Sequence, residues 1–133
     1  MPISKFSFMR MLGLIAASLS LCACSDLCSD ETVKVVRSPR GDHQARLFMR
    51  ECGATTDFTT QVSIDPWFWQ VIGNAFVADA YSGGKRGAWG GPWADLEWIG
   101  PDHLMVTYDK KARVFDRHKV VNGVRITYRP VTL

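Results

Sequence analysis

The sequence predicts an all-β protein, a small antiparallel sandwich or open barrel of seven to eight short strands behind an N-terminal signal helix. Three observations carry this. Apolar and polar residues alternate with period two through most of the chain after Glu31. Outside the N-terminal segment no stretch shows a sustained 3.6-residue apolar repeat with caps. Pro39, Pro66, Pro92 and Pro101, with glycines at 73, 83, 84, 87, 90 and 91, punctuate the alternation as turns.

Taken in order, Ala45, Leu47 and Met49 alternate with Gln44, Arg46 and Arg50, although Phe48 interrupts the polar face. Phe58, Thr60, Val62 and Ile64 share one face of the next strand, opposite Thr59, Gln61 and Ser63. Leu96 and Trp98 alternate with Asp95 and Glu97, and Leu104, Val106 and Tyr108 form a further apolar face. Val121-Asn122-Gly123-Val124 signals a two-residue hairpin, because a type I′ turn needs positive φ at both central residues. Val124, Ile126 and Tyr128 then face inward. Lys119 fits badly, since that hairpin sets it opposite Ile126.

Arg37-Ser-Pro-Arg-Gly-Asp-His-Gln-Ala-Arg-Leu-Phe-Met49 and Trp98-Ile-Gly-Pro-Asp-His-Leu-Met-Val-Thr-Tyr108 repeat one plan: strand, Pro/Gly turn, Asp-His, strand. Both are similar to the "S-P-D-G" hairpin of β-propeller blades. A propeller typically takes four to eight blades, so the likeness implies local hairpin geometry only.

The 133 residues make room for one domain. The net charge of +3 owes two units to Lys5 and Arg10; without them 14 cations face 13 anions. That balance lacks the electrostatic footprint of a nucleic-acid binder.

Lys5 and Arg10 precede an uncharged run, Met11 to Ala23, too short to cross a bilayer, which takes roughly 20 apolar residues. A positive start, a short apolar centre and small residues are the marks of a secretory signal; Met1, Met9 and Met11 are the candidate starts, and a start at Met9 keeps Arg10. Leu21-Cys22-Ala23-Cys24 resembles the bacterial lipobox. The resemblance implies cleavage before Cys24, a diacylglycerol thioether on its sulfur and an acyl group, palmitate or similar, on its freed amine. Ser25, where an Asp retains lipoproteins in the inner membrane of enteric bacteria, implies the outer membrane, facing the periplasm. The alternative is a simple secreted protein cut after Cys24. The chain then divides into a signal peptide (1–23), a lipidated tether (24–31) and a single β domain (32–133).

Zinc is not expected at Cys22-x-Cys24-x3-Cys28, which lacks a second ligand pair and a nearby His. Processing leaves Cys28 and Cys52 in an oxidising compartment, where they are expected to pair. Ser38-Pro-x-Gly41, Cys52-Gly-Ala-Thr-Thr-Asp57 and Gly73-Asn-Ala-Phe76 resemble a group of small bacterial envelope proteins of unassigned function, a likeness that implies no activity.

Motifs of catalysis are thin. Ser82-Gly-Gly-Lys85 has the S-x-x-K form of serine enzymes, but two glycines replace the helical start that chemistry uses, and no K-T-G or S-D-N follows. Arg40-Gly-Asp42 spells an integrin-binding tripeptide and, after Ser38-Pro39, equally a turn. His43, His103 and His118 have no carboxylate pair or Cys at short metal-ligand spacing, so neither metal nor cofactor is expected. Cys52 to Asp57 is expected to be a disulfide-tied strand connection, with Asp57 bonding turn amides.

Four of the five tryptophans lie between Asp65 and Trp93, at 67, 69, 89 and 93. They either roof the core or form a contact surface, since Trp and Arg anchor interfaces. Ordering the glycine-rich stretch Ser82–Trp93 costs on the order of 1–2 kcal/mol per residue. A loose tip from Gly83 to Gly87 is therefore expected, with Trp93 packed on the sheet. Lys85, Arg86, Trp89, Trp67 and Trp69 become the partner-binding candidates. The expectation is a non-catalytic, lipid-anchored envelope protein that binds a protein or peptidoglycan. An inhibitor or immunity protein is the alternative, and a peptidoglycan-acting hydrolase the third reading.

Overall fold

The structure, a computed structural model, describes residues 27–53, 55–66 and 72–133. The signal segment, Cys24, Trp67 and Trp69 lie outside the described residues. The described chain is all-β, with nine strands. They are β1 Ser29–Arg37, β2 Gln44–Glu51, β3 Thr59–Ile64, β4 Phe76–Asp79, β5 Ala94–Gly100, β6 His103–Asp109, β7 Arg113–Arg117, β8 Val120–Val121 and β9 Val124–Val131. Ser29 to Glu31, assigned to the tether from sequence, already belong to β1.

Two sheets form a sandwich-like fold, one ordered β1-β2-β3-β4-β7 and the other β5-β6-β9-β8. All neighbours are antiparallel except β6 and β9. The chain leaves β6 for β7 in the opposite sheet, returns through β8, and so brings β9 beside β6 in the same direction. Parallel pairs need such a detour, because a tight hairpin can only join antiparallel strands. The β8–β9 turn has the expected geometry: Asn122 has φ of 50° and Gly123 of 77°.

The alternating faces meet between the sheets. Leu47, Val62, Ile64 and Phe76 of one sheet close on Leu96, Leu104, Val106, Val124 and Ile126 of the other, each at most 4% exposed. Phe76 sits among rings, 5.2 Å from Tyr108 and 5.9 Å from Tyr128 between centroids. The outer face of the first sheet is also partly covered: Phe48, Gln61 and Ser63 are buried. The Gln61 side chain reaches the β3–β4 connection there, where the Gly73 N–H donates to its Oε1. Phe48 thus interrupts a polar face that is itself half core. Among the described residues no buried side-chain polar atom lacks a partner.

The register defines two ends. Ser29 pairs with Glu51, Arg50 and Asp79 both pair with Thr59, and Asp79 pairs with Arg113. The β4–β5 loop and the β6–β7 turn lie at that end, joined where the Lys85 N–H donates to Asp109 Oδ2. The Cys28–Cys52 disulfide closes the same end, as expected from the sequence. A loop of about 25 residues is worth roughly 3.5 kcal/mol in the chain-entropy account. The turns at Ser38–His43, Gly100–His103 and Asn122–Gly123 occupy the far end.

Candidate functional site

The glycine loop is fastened rather than loose. Asp109, 1% exposed, accepts the Lys85 N–H at 2.6 Å and the Lys111 N–H at 2.9 Å. A side chain on Gly84, at φ 98°, would come within 3.1 Å of that carboxylate, so the close approach requires glycine. The Trp93 N–H donates to the Lys85 carbonyl, and the Gly87 N–H to the Gly91 carbonyl. These backbone bonds offset the ordering cost that the glycines alone would leave uncovered.

The candidate binding residues separate accordingly. Arg86 makes a two-pronged pair with Asp57, at 3.0 and 3.2 Å, and also donates to the Gly90 carbonyl. That pair, with Asp57 also accepting the Phe58 N–H, holds the Asp57 carboxyl below the usual carboxylate range. Trp89 folds back on Gly87 and the core, and its Nε1–H donates to Thr60 Oγ1 at 2.9 Å. Thr60 in turn donates to the Pro92 carbonyl. Trp89, proposed from sequence as a contact residue, and Trp93 are both half-buried, with Trp89 packed against the core. Lys85 alone keeps a side chain with no partner among the described residues. Ser82 is exposed, and no hydrogen bond joins it to Lys85 or to a histidine.

A different surface gathers charge. Arg117, Lys119, Val120, Arg125, Ile126, Thr127 and Tyr128 line an open groove of about 640 Å3 between the edge strands β7 and β8 at the far end. No carboxylate lines it. Arg117 donates to the Tyr108 hydroxyl at 2.9 Å and stands over the Tyr128 ring. Arg125 donates to His103 Nδ1 at 3.0 Å, and His103 is held below its ordinary pKa by burial and then by that guanidinium. The Tyr128 hydroxyl shares its hydrogen between the carbonyls of His118 and Ala75, and burial pushes its pKa up. Lys119, the sequence misfit, stands exposed at the rim, and its carbonyl accepts the Ile126 N–H in the register the hairpin dictates. Four cations elsewhere meet carboxylates, Lys34–Asp95, Arg50–Asp30, Arg86–Asp57 and Arg113–Asp79, while Arg46 and Arg129 bond threonine hydroxyls. In the groove the only side-chain partners are neutral.

A polar cluster sits where the two Asp-His turns face each other. His43 Nδ1 lies 2.6 Å from Asp65 Oδ2, and its Nε2 lies 3.4 Å from Asp102 Oδ1. The Asp65 bond, against a smaller cost of burial, raises the His43 pKa. His103 and His118 serve elsewhere, against Thr127 and Asp116.

Compared with known families, curated proteins and solved structures, the chain matches none.

Proposed function

We propose that this chain is a lipid-anchored protein of the bacterial cell envelope, held in the outer membrane through Cys24 and facing the periplasm. Its non-catalytic β domain binds an acidic protein or cell-wall partner in the β7–β8–β9 groove. The observation that carries the binding reading is the set of three cations, Arg117, Lys119 and Arg125, in one concave surface without a carboxylate. Such a surface attracts and orients anions, because the charge is already gathered and unneutralised.

The anchor fits this arrangement. Cys24 precedes the disulfide-held Cys28 by four residues, so a tether of at most about 14 Å would keep the disulfide end at the bilayer. Lys85 then lies on the membrane side and the groove on the side turned toward the wall. This favours the groove over the glycine loop. The inhibitor or immunity reading rests instead on the fastened loop, which presents Lys85 as a rigid tip.

One experiment separates these readings. Full-length protein carrying a capture tag is expressed in its own envelope beside Cys24→Ala, Lys85→Ala and a combined Arg117→Ala, Lys119→Ala, Arg125→Ala variant. Cys24→Ala is expected to lose labelled fatty acid. The groove variant should keep its lipid and its melting temperature within a few degrees, yet lose the co-captured partner at least tenfold. Retention of the partner by the groove variant, with loss on Lys85→Ala, would transfer the function to the loop. A lipid-free parent protein would remove the anchor.

A further inference from the structure

We propose that Asp42, His43 and Asp102 form a binding site for one divalent transition-metal ion of the zinc class. Their ligand atoms all lie within 4.8 Å of one another. The set comes from the β1–β2 and β5–β6 turns, whose repeated Asp-His dipeptides the fold brings together at the far end.

The hydrogen-bond pattern at His43 supplies the chemical reason. Asp65 accepts through Oδ2 at 2.6 Å, so His43 Nδ1 carries the hydrogen. In the neutral ring Nε2 is then a bare lone pair. In the protonated ring Nε2–H answers Asp102 Oδ1 at 3.4 Å, and a divalent ion would take that proton's place in contact with both. Bond lengths of about 2.0–2.2 Å set two ligands of a tetrahedral zinc roughly 3.5 Å apart, which matches that separation. Asp42, exposed at the turn tip, offers a carboxylate oxygen within 4.8 Å of both as the third ligand.

The surroundings hold these ligands as metal sites commonly do. A carboxylate on the distal imidazole nitrogen fixes tautomer and ring direction and raises ligand basicity. Here Asp65 does so from a fixed place, since its Oδ1 accepts the Gln44 N–H and its own N–H donates to the Gln44 carbonyl. Trp98 stacks on the His43 ring at 6.3 Å and 19°, and is itself pinned by a bond from Nε1 to the Val36 carbonyl. The Ser38 hydroxyl donates to Asp42 Oδ1, leaving the second oxygen for the ion. Three carboxylates against one guanidinium, Arg40 at 4.0 Å from the outer oxygen of Asp102, leave a formal charge of −2 around the neutral ring. An imidazole with two carboxylates suits zinc, cobalt or nickel more than calcium or magnesium. Its remaining positions open to solvent, where water or a partner's side chain can complete the coordination.

The test uses full-length protein in detergent, stripped with chelator and titrated calorimetrically with zinc chloride, with cobalt chloride followed by its visible absorption. One ion per chain is expected, with micromolar or tighter affinity. His43→Ala should abolish binding, and Asp102→Asn, on an exposed turn where folding is not at stake, should weaken it at least tenfold. Asp65→Asn should weaken it about 10–100-fold at unchanged stoichiometry, the usual effect of losing an orienting carboxylate. His118→Ala should change nothing. Absence of saturable binding would overturn the site, as would undiminished affinity in both His43→Ala and Asp102→Asn.

Discussion

Phe76→Ala is expected to destabilise the domain by about 3–5 kcal/mol, the usual cost of emptying a buried phenylalanine site. The ring is 1% exposed and packs between Tyr108 and Tyr128. It sits where β4 meets β3 on one side and β7 on the other, so neighbouring strands cannot collapse into the space without losing register. Small domains are stable by about 5–15 kcal/mol, so the variant loses a large share of its total. Chemical denaturation of parent and variant reads this directly. Phe115→Ala is the control: that ring is 57% exposed on the edge strand, with the Arg113 guanidinium over its face. Its effect should stay within about 1 kcal/mol. A Phe76→Ala cost below that of Phe115→Ala would refute the core described above.

Asp109→Ala is the second large effect, at roughly 3–5 kcal/mol. Two charge-assisted bonds to backbone amides are each worth about 1.5–3 kcal/mol, and removing the acceptor leaves the amides of Lys85 and Lys111 unpaired. The damage should begin in the glycine loop, with faster hydrogen exchange at Lys85 before the sheets open. Acid should act in the same direction. The Lys111 and then the Lys85 amide hold the Asp109 carboxyl below the usual carboxylate range. In the unfolded chain it returns to about 3.9. The stabilisation is therefore complete above that value and lost as pH falls through the lower, folded one. Stability measured from pH 6 downward should fall more steeply below about pH 4 in the parent than in Asp109→Asn. Identical slopes, or a cost for Asp109→Ala under about 1 kcal/mol, would make this carboxylate incidental.

Much of the fold was legible because side-chain alternation reports burial directly. The apolar faces at Leu104, Val106 and Tyr108 and at Val124 and Ile126 lie in the core as the period-two pattern requires. Asn122-Gly123 names its turn through the backbone angles those residues tolerate. The pairing of β6 with β9 left no local trace, since a parallel neighbour separated by two strands has no hairpin of its own. Short β8, only Val120 and Val121, was legible through its turn alone, as the incoming arm of the Asn122-Gly123 hairpin.

The candidate sites were legible where residue type alone named the partner: the Cys28–Cys52 bond and the missed Lys85–Asp109 anchor both span 24 residues. Cys28 and Cys52 were paired by elimination, and their bond is present. The loop around Lys85 was read as loose from the ordering cost of its glycines, since nothing within it names its anchor, Asp109, 24 residues away. The groove was hidden in a misfit: Lys119 violated the apolar face of its hairpin, and a charge in that register is the trace of a surface left unsealed between β7 and β8. The repeated Asp-His dipeptides likewise recorded two turns that meet in space.

The most direct test of the groove is a photo-crosslinking side chain placed at Val120, 63% exposed on its rim, and separately at Lys85, in cells making the full-length protein. Irradiation should join the Val120 protein to a partner of defined size or to wall fragments, the adduct should vanish in the Arg117, Lys119 and Arg125 alanine variant, and Lys85 should give none. An adduct at Lys85 with none at Val120 would contradict the account.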